Sequence, residues 1–121
     1  MKKDKKIKEK TIDAAGRTLG RVASEIAIIL MGKTEASYER HIYKGPEVGV
    51  INASKIKITA KKLEEIYHTR YSGYRGGLRI LKGIETKKTK GMKELVKLAV
   101  YHMLPGNKLR KEMMKNLEIE D

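Results

Sequence analysis

The first clear pattern along the chain is helical. Apolar residues follow one another at steps of three and four: Leu19, Val22, Ala23, Ile26 and Leu30. This spacing places them on one face of a helix, and Ala27, Ile28 and Ile29 widen that face, so we expect the second half to be buried on most sides. Thr18 is a suitable N-cap, and Gly32 suits the left-handed turn that commonly ends a helix.

Short segments on both sides of this helix predict strands. Residues 11–14 form the first, with a glycine turn at 16–18 before the helix. Residues 48–51 predict a buried strand, and residues 56–59 alternate like a strand with one wet face, with a turn at 52–54 between the two. A strand, a tight turn and a helix in succession indicate an α/β unit.

Helical spacing returns later in the chain, at Met92, Leu95, Val96, Ala99 and Met103. Pro105 and Gly106 stop this second helix. Asn107 can cap a last short helix, whose apolar positions follow at steps of four: Leu109, Met113 and Leu117. Because there is no internal repeat and no composition break after the first ten residues, we predict one domain over residues 11–121.

Charge changes this picture of an ordinary α/β domain. Charged residues make up 36% of the 121 residues, against a usual share of about 25%, and the formal net charge is +13. Residues 1–10 carry six Lys against two acids, and residues 67–97 carry nine Lys or Arg against two Glu. Such clustering favours an acidic partner, and nucleic acid over membrane, because no helix here is basic on one face and apolar on the other. Residues 1–10 are either a solubilising tail, mobile without RNA, or an arm that orders on RNA.

Several classes of protein are disfavoured by what the sequence lacks. There is no Cys, which excludes disulfides and Cys-ligated zinc. The longest apolar run, over 26–31, is far shorter than the about 20 residues of a membrane span. No apolar stretch of about 7–15 residues follows the first lysines, so export is disfavoured. We expect a cytoplasmic protein with no membrane partner.

The most informative segment is 67–79, which holds three Tyr, three Arg and three Gly within thirteen residues. Arginines fit phosphate oxygens two at a time, tyrosines stack on flat rings, and glycines let a backbone lie close to another surface. A solvated glycine-rich loop is the plainer interpretation, but exposed tyrosines are costly without a partner. We therefore predict a loop that lies on a polyanion, RNA above all.

Candidate catalytic groups are few. None of the three histidines, His41, His68 and His102, lies at a metal-ligand spacing, and no Cys or GxSxG serine is present as a nucleophile. Asp13 ends the first predicted strand, where ligands often bind, but without a phosphate loop a turn-stabilising role is favoured. We therefore predict no catalytic residue, no metal site, no cofactor and no small-molecule substrate.

Four motifs together resemble a known family. They are IDAAGRTLGRVAS at 12–24, VINASKI at 50–56, SGYRGGL at 72–78 and MLPGN at 103–107. In this order and at these separations the chain closely resembles ribosomal protein thirteen of the large subunit, in its bacterial form. The resemblance covers residues 11 to 117.

The resemblance implies a three-layer α/β/α domain around a four-stranded, mainly parallel sheet. It also implies a structural, non-catalytic role in the large ribosomal subunit, with binding to large-subunit rRNA early in assembly, beside neighbouring ribosomal proteins. Some members of the family also bind their own messenger RNA. Two other functions remain open: a small RNA-modifying or nucleotide-handling enzyme, and a messenger-binding repressor acting off the ribosome.

The chain departs from the family pattern at several places. Arg75 stands where the family usually has Pro, which adds charge and removes a fixed φ angle. Ala60 replaces a usual Gly, Glu9 and Lys10 replace a usual Trp-Tyr pair, and the usual C-terminal extension has no counterpart here. Contacts made through those segments are therefore not carried over.

The predicted rRNA-binding surface combines the glycine-rich segment with flanking lysines. Arginines and lysines would bind phosphates, tyrosines would stack, and glycines would let backbone N–H groups approach phosphate. Lys55 and Lys57 would share one face of the strand predicted over 56–59. The predicted residues are Lys55, Lys57, Lys61, Lys62, His68, Arg70, Tyr71, Ser72, Gly73, Tyr74, Arg75, Gly76, Gly77, Arg79, Lys82, Lys87 and Lys88.

Overall fold

The structure, a computed structural model, describes residues 10–43 and 45–121. The predicted tail lies outside the described residues except for Lys10, which begins the first strand. The elements, in chain order, are β1 (Lys10–Asp13), α1 (Leu19–Met31), β2 (Val48–Ile51), a 3-10 helix (Ala53–Lys55), α2 (Ala60–Glu65), β3 (Tyr67–Tyr71), β4 (Leu78–Lys82), α3 (Gly83–Lys90), α4 (Met92–Met103), α5 (Arg110–Lys115) and β5 (Leu117–Ile119).

Three strands form a parallel sheet in the order β1-β2-β5. Val50 of the central strand lies opposite Ile12 on one side and Ile119 on the other. Because side chains alternate along a strand, Ile12, Val48 and Val50 point to one face, where all three are buried. These residues join α1 and α4 in the core.

The expected four-stranded sheet was wrong. The segment 56–59 forms no strand: Ile56 is buried, and Lys57 makes only an isolated bridge to Thr18. Thr59 instead caps α2, its side-chain oxygen accepting a hydrogen bond from the Lys62 N–H at 3.2 Å. A local cap thus ends the extended segment before it can pair with the sheet.

The expectation of three layers was also wrong for the described residues. Thr11, Asp13, Ile51 and Glu118 alternate to the second face of the sheet, and all four are exposed. Since no helix of the described ranges covers them, this part of the chain forms two layers, with a sheet that is buried on one face.

Helix α1 confirms most of its prediction. It runs Leu19–Met31 and ends at Gly32, whose φ of 79° is left-handed and whose N–H reaches the Ile28 and Ile29 carbonyls. Thr18 holds the N-cap position in extended conformation, but its side chain makes no capping hydrogen bond. The expectation that the second half is buried on most sides was wrong at Ile28, which is 45% exposed.

The end of the described chain differs from its predicted course. Helix α4 occupies Met92–Met103 as expected. The Asn107 side chain accepts from the Leu109 N–H at 3.1 Å, but α5 ends at Lys115 and Leu117 begins β5, opposite Val48. The apolar repeat at Leu109, Met113 and Leu117 is compatible with a longer helix, but hydrogen bonding to the backbone of β2 places Leu117 in a strand instead.

We predict that Leu30→Ala lowers the free energy of unfolding by about 2–5 kcal/mol, because Leu30 is fully buried and its removal leaves a cavity. Ile28→Ala, on the exposed side of the same helix, is the control and should change it by less than about 1 kcal/mol. Urea denaturation measures both. Equal losses would show that the two sides of α1 are buried alike in solution.

Candidate nucleic-acid interface

The segment expected to be a loop is mostly a β-hairpin. Strand β3 pairs antiparallel with β4, with Tyr71 opposite Leu78 near the turn and Tyr67 opposite Lys82 at the base. Only residues 72–77 form the connecting turn. The prediction of a loop over 67–79 was therefore wrong outside the turn, because residues at steps of two on both sides of the glycines can form a ladder.

The backbone conformation of the turn requires glycine at several positions, whether or not a partner is bound. Gly73 and Gly76 have φ of 88° and 74°, which L side chains rarely adopt. A Cβ on Gly77 would collide with the Ser72 hydroxyl. The turn is closed by hydrogen bonds from the Ser72 N–H to the Gly77 carbonyl at 3.3 Å and from the Gly77 N–H to the Tyr74 carbonyl at 3.0 Å.

Alternation along the two strands gives the hairpin two different faces. One face, which we call the inner face, consists of His68, Arg70, Arg79 and Leu81. The opposite face, which we call the outer face, consists of Tyr67, Thr69, Tyr71, Leu78, Ile80 and Lys82. On the inner face His68 and Leu81 are half-buried, whereas every outer-face residue is exposed.

A histidine pair joins the inner face to the body. The rings of His68 and His102 stack at 5.1 Å between centroids and lie within 6° of parallel. Tyr101 meets His102 edge-on, and the Arg110 guanidinium lies 4.0 Å over the Tyr101 ring. Burial, and then the neighbouring His102, lower the pKa of His68 below its ordinary value. Nothing in the sequence predicted this pairing.

Two arginines lie side by side on the inner face. Arg70 is directly opposite Arg79, and both are exposed. Like charges at directly opposed positions destabilise a strand pair. The hairpin carries no Asp or Glu, and within the described ranges neither arginine has a carboxylate partner within 4 Å. The pair is therefore an unsatisfied site of positive charge that an anion would stabilise.

Most predicted lysines lie on elements that contact the base of the hairpin. Lys61 and Lys62 are exposed on α2, which packs against α3, and α3 also contacts β4. The Gly83 N–H donates to the Ile66 carbonyl at 2.8 Å and so ties the two ends of the hairpin together. The remaining lysines of this group are exposed: Lys82, Lys87 and Lys88.

Lys55 and Lys57 do not share a strand face as predicted. Lys55 ends the 3-10 helix, and its carbonyl accepts from the Gly16 N–H at 3.0 Å. The Lys57 N–H donates to the Arg17 carbonyl at 2.9 Å. Both are exposed beside the turn that precedes α1, and that turn is what positions them.

Asp13 stabilises a turn, as expected. Its Oδ1 accepts from the Ala15 N–H at 2.9 Å and from the Asn52 side chain at 3.0 Å, and these bonds, in that order, lower its pKa. Asn52 itself has a left-handed φ of 58°. A groove of about 260 Å³ lies nearby on the open sheet face, lined in part by Thr11 and Gly49, but Asp13 is not among its lining residues.

Two further observations concern other classes of site. Within residues 10–43 and 45–121, no three His, Asp or Glu side chains lie close enough to hold a metal ion. None of the helices in those ranges is long and apolar enough to cross a membrane. His41 lies 3.7 Å from the Glu39 carboxylate in an exposed local contact.

An α/β body with a projecting cationic hairpin is typical of proteins that bind nucleic acid. Comparison with known families makes this specific. Residues 7–119 match the family described as ribosomal protein L13, and the chain belongs to that family.

Relatives from several bacteria support the assignment. The large ribosomal subunit protein uL13 of Caldanaerobacter subterraneus is 46% identical over 112 residues, covering 89% of this chain and 75% of the relative. The uL13 protein of a Thermoanaerobacter species is 42% identical over 125 aligned positions, covering 98% of this chain and 84% of the relative. The uL13 protein of Aquifex aeolicus is 46% identical over 110 residues, covering 89% of this chain and 74% of the relative.

We predict that acid weakens the junction between hairpin and body. Because the pKa of His68 is lowered on folding, the unfolded state binds more protons, so stability is full above pH 6.5 and falls as the pH drops through 6.5 towards the lowered value. The melting temperature should decline from about pH 7.5 to about pH 5.5, and His68→Gln should flatten that decline. His41→Gln is the control for an exposed histidine. An unchanged decline in His68→Gln would show that other groups cause it.

Proposed function

We propose that this protein is a structural constituent of the large ribosomal subunit, and that it binds large-subunit rRNA through the hairpin and the helices at its base. Its family and the names of its relatives support the ribosomal role. Its location is then the cytoplasm, within the large subunit, beside neighbouring ribosomal proteins. It catalyses no reaction and needs no cofactor for this role.

The observation that carries the proposal is the opposed arginine pair. Arg70 and Arg79 repel each other in the free protein, and within the described ranges no carboxylate offsets that repulsion. A phosphate bound between them would turn the repulsion into two charge-assisted hydrogen-bonded contacts. The hairpin is thus better matched to an RNA backbone than to water.

The turn at the tip of the hairpin extends this surface. Tyr74 is 80% exposed, and Arg75 follows it in the same exposed turn. Arg75 would bind phosphate, while Tyr71 and Tyr74 would stack on bases or riboses. The glycines hold the turn narrow, so that Ser72 and the backbone can come close to the RNA.

The other predicted residues flank the hairpin. His68 sits at its base, where its ring already stacks on His102 and is only half exposed. The lysines would add less specific attraction to the backbone, which positions a protein on RNA without reading its sequence. They are Lys55, Lys57, Lys61, Lys62, Lys82, Lys87 and Lys88.

A messenger-binding function would use the same surface, so binding to rRNA alone does not separate the two. Sedimentation of a cell lysate does. We expect the protein to travel with large subunits, and with their precursors if it acts early in assembly. Protein found only at the top of the gradient would contradict the ribosomal role and leave repression off the ribosome as the better explanation.

We predict that Arg70→Ala/Arg79→Ala weakens binding to a large-subunit rRNA transcript. The slope of log affinity against log salt should fall by about 0.7–0.9 for each phosphate that the variant no longer binds. The control, Arg21→Ala/Arg40→Ala, removes the same charge from exposed positions outside the proposed surface. Filter binding at several salt concentrations measures both. Equal slopes for the two variants would mean that only the net charge of the protein matters for binding.

Arg75→Ala tests the tip of the hairpin in the same assay. An unchanged affinity and an unchanged salt slope would show that Arg75 makes no direct contact with a phosphate.

A further inference from the structure

The outer face of the hairpin is an exposed apolar surface that phosphate binding does not explain. Tyr67, Tyr71, Leu78 and Ile80 are between 58% and 66% exposed. They are contiguous, because Tyr71 is directly opposite Leu78 and Ile80 is opposite Thr69 between the two tyrosines. Scattered apolar residues are ordinary on a protein surface, but a contiguous group marks a binding surface.

The charge around this face indicates what covers it. Arg75 lies beyond its tip and Lys82 at its base, and residues 67–82 contain no Asp or Glu. A second copy of the chain would bring the same positive charge and be repelled. The partner must therefore be anionic at its rim and flat and apolar at its centre, which describes nucleotides: bases that carry phosphates.

The spacing of the rings defines the kind of nucleotide. Tyr67 and Tyr71 are four residues apart on one strand, about 13 Å at about 3.3 Å per residue, so each ring faces a different base. Bases inside a duplex are already stacked on both sides. Aromatic side chains on a sheet therefore stack on unpaired bases in loops, bulges and junctions.

We propose that the outer face is a stacking platform for unpaired RNA nucleotides, and that the hairpin is a wedge between two RNA segments. The platform holds splayed bases of one segment, while Arg70 and Arg79 on the inner face hold the phosphate backbone of the other. This inference rests on the proposed rRNA binding and adds the class of RNA structure that the protein recognises: a junction or internal loop and not a continuous duplex.

The test compares two ring substitutions on a large-subunit rRNA transcript. Tyr67→Leu/Tyr71→Leu keeps apolar bulk but removes both flat rings, whereas Tyr67→Phe/Tyr71→Phe keeps the rings and removes only the hydroxyls. We expect the Leu variant to bind at least about fivefold more weakly per ring, with an unchanged salt slope because the bound phosphates stay the same. The Phe variant should stay within about twofold of the wild type.

Chemical probing of the same complexes locates the platform on the RNA. Acylation of 2′-hydroxyls marks flexible nucleotides, and a nucleotide that stacks on a ring becomes less reactive. Wild type and Phe variant should protect a common set of unpaired nucleotides, and the Leu variant should lose that protection. Arg70→Ala/Arg79→Ala should instead change the salt slope, which separates the two faces.

Two results would overturn the platform while leaving rRNA binding intact. One is a Leu variant that binds and protects as the wild type does while the Arg variant is weakened. The other is a Leu variant that binds naked rRNA normally but is missing from assembled subunits, which would assign the outer face to a neighbouring protein. A wild-type protein that binds the transcript no more tightly than a fully paired control RNA would also contradict the preference for a junction or internal loop. A wild-type protein that binds neither RNA would instead contradict the proposed function itself.

A folding control accompanies these variants. The substituted rings are mostly exposed, so thermal melting should give nearly the same midpoint for all of them. Where the Leu variant melts early, Tyr67→Ile/Tyr71→Ile takes its place, because a β-branched residue favours the strand while still lacking a ring.

Discussion

The packing of α1 against α4, over the buried face of β2, is the contact on which the rest of the structure depends. A net charge of +13 works against compactness, and an apolar core has to offset that repulsion. The fully buried side chains that do so include Ile26 and Leu30 on α1, Val50 on β2 and Leu95 on α4. Charge is kept away from this core, on the hairpin and on the helices at its base.

This separation explains how an unfavourable surface can be maintained. The opposed arginines cost stability in the free protein, and the exposed tyrosines leave apolar surface in contact with water. The hairpin itself is tied to the body at its base, through the Gly83–Ile66 hydrogen bond and the stacked histidines. Because the core stabilises the body, the sequence of the hairpin can suit binding at the expense of its own stability. Binding loops on rigid scaffolds often have the same arrangement.

The sequence predicted those elements whose patterns are local. The apolar spacing of α1 and α4 and the glycine that ends α1 gave their positions correctly, and the 48–51 strand has its predicted bounds. The errors occur where the sequence pattern fits two structures and a specific backbone hydrogen bond determines which one forms. Leu117 continues a helical repeat but pairs with Val48, and the segment at 56–59 alternates like a strand but is ended by a helix cap.

The same contrast holds for the candidate site. Composition alone marked the segment 67–79 by its Arg, Tyr and Gly, and the residues predicted from it to bind RNA include Tyr71 and Tyr74 but not Tyr67, Leu78 or Ile80. The proposed stacking platform includes those residues because antiparallel register places them on one face with Tyr71. Alternation on both sides of the glycines was a usable signal for a hairpin. The His68–His102 contact joins two elements far apart in sequence, so no local sequence pattern predicts it.

The sheet order β1-β2-β5 has a consequence for how the chain folds during its own synthesis. Strand β2 receives its second neighbour only after α4 and α5 have been made, because β5 follows every other described element. The hairpin closes over a short loop and its ladder can form early, whereas the sheet depends on a long-range pairing whose loop-closure cost slows folding. The hairpin thus emerges before the body that supports it is complete, and β5, which follows the other described elements, completes the sheet of that body.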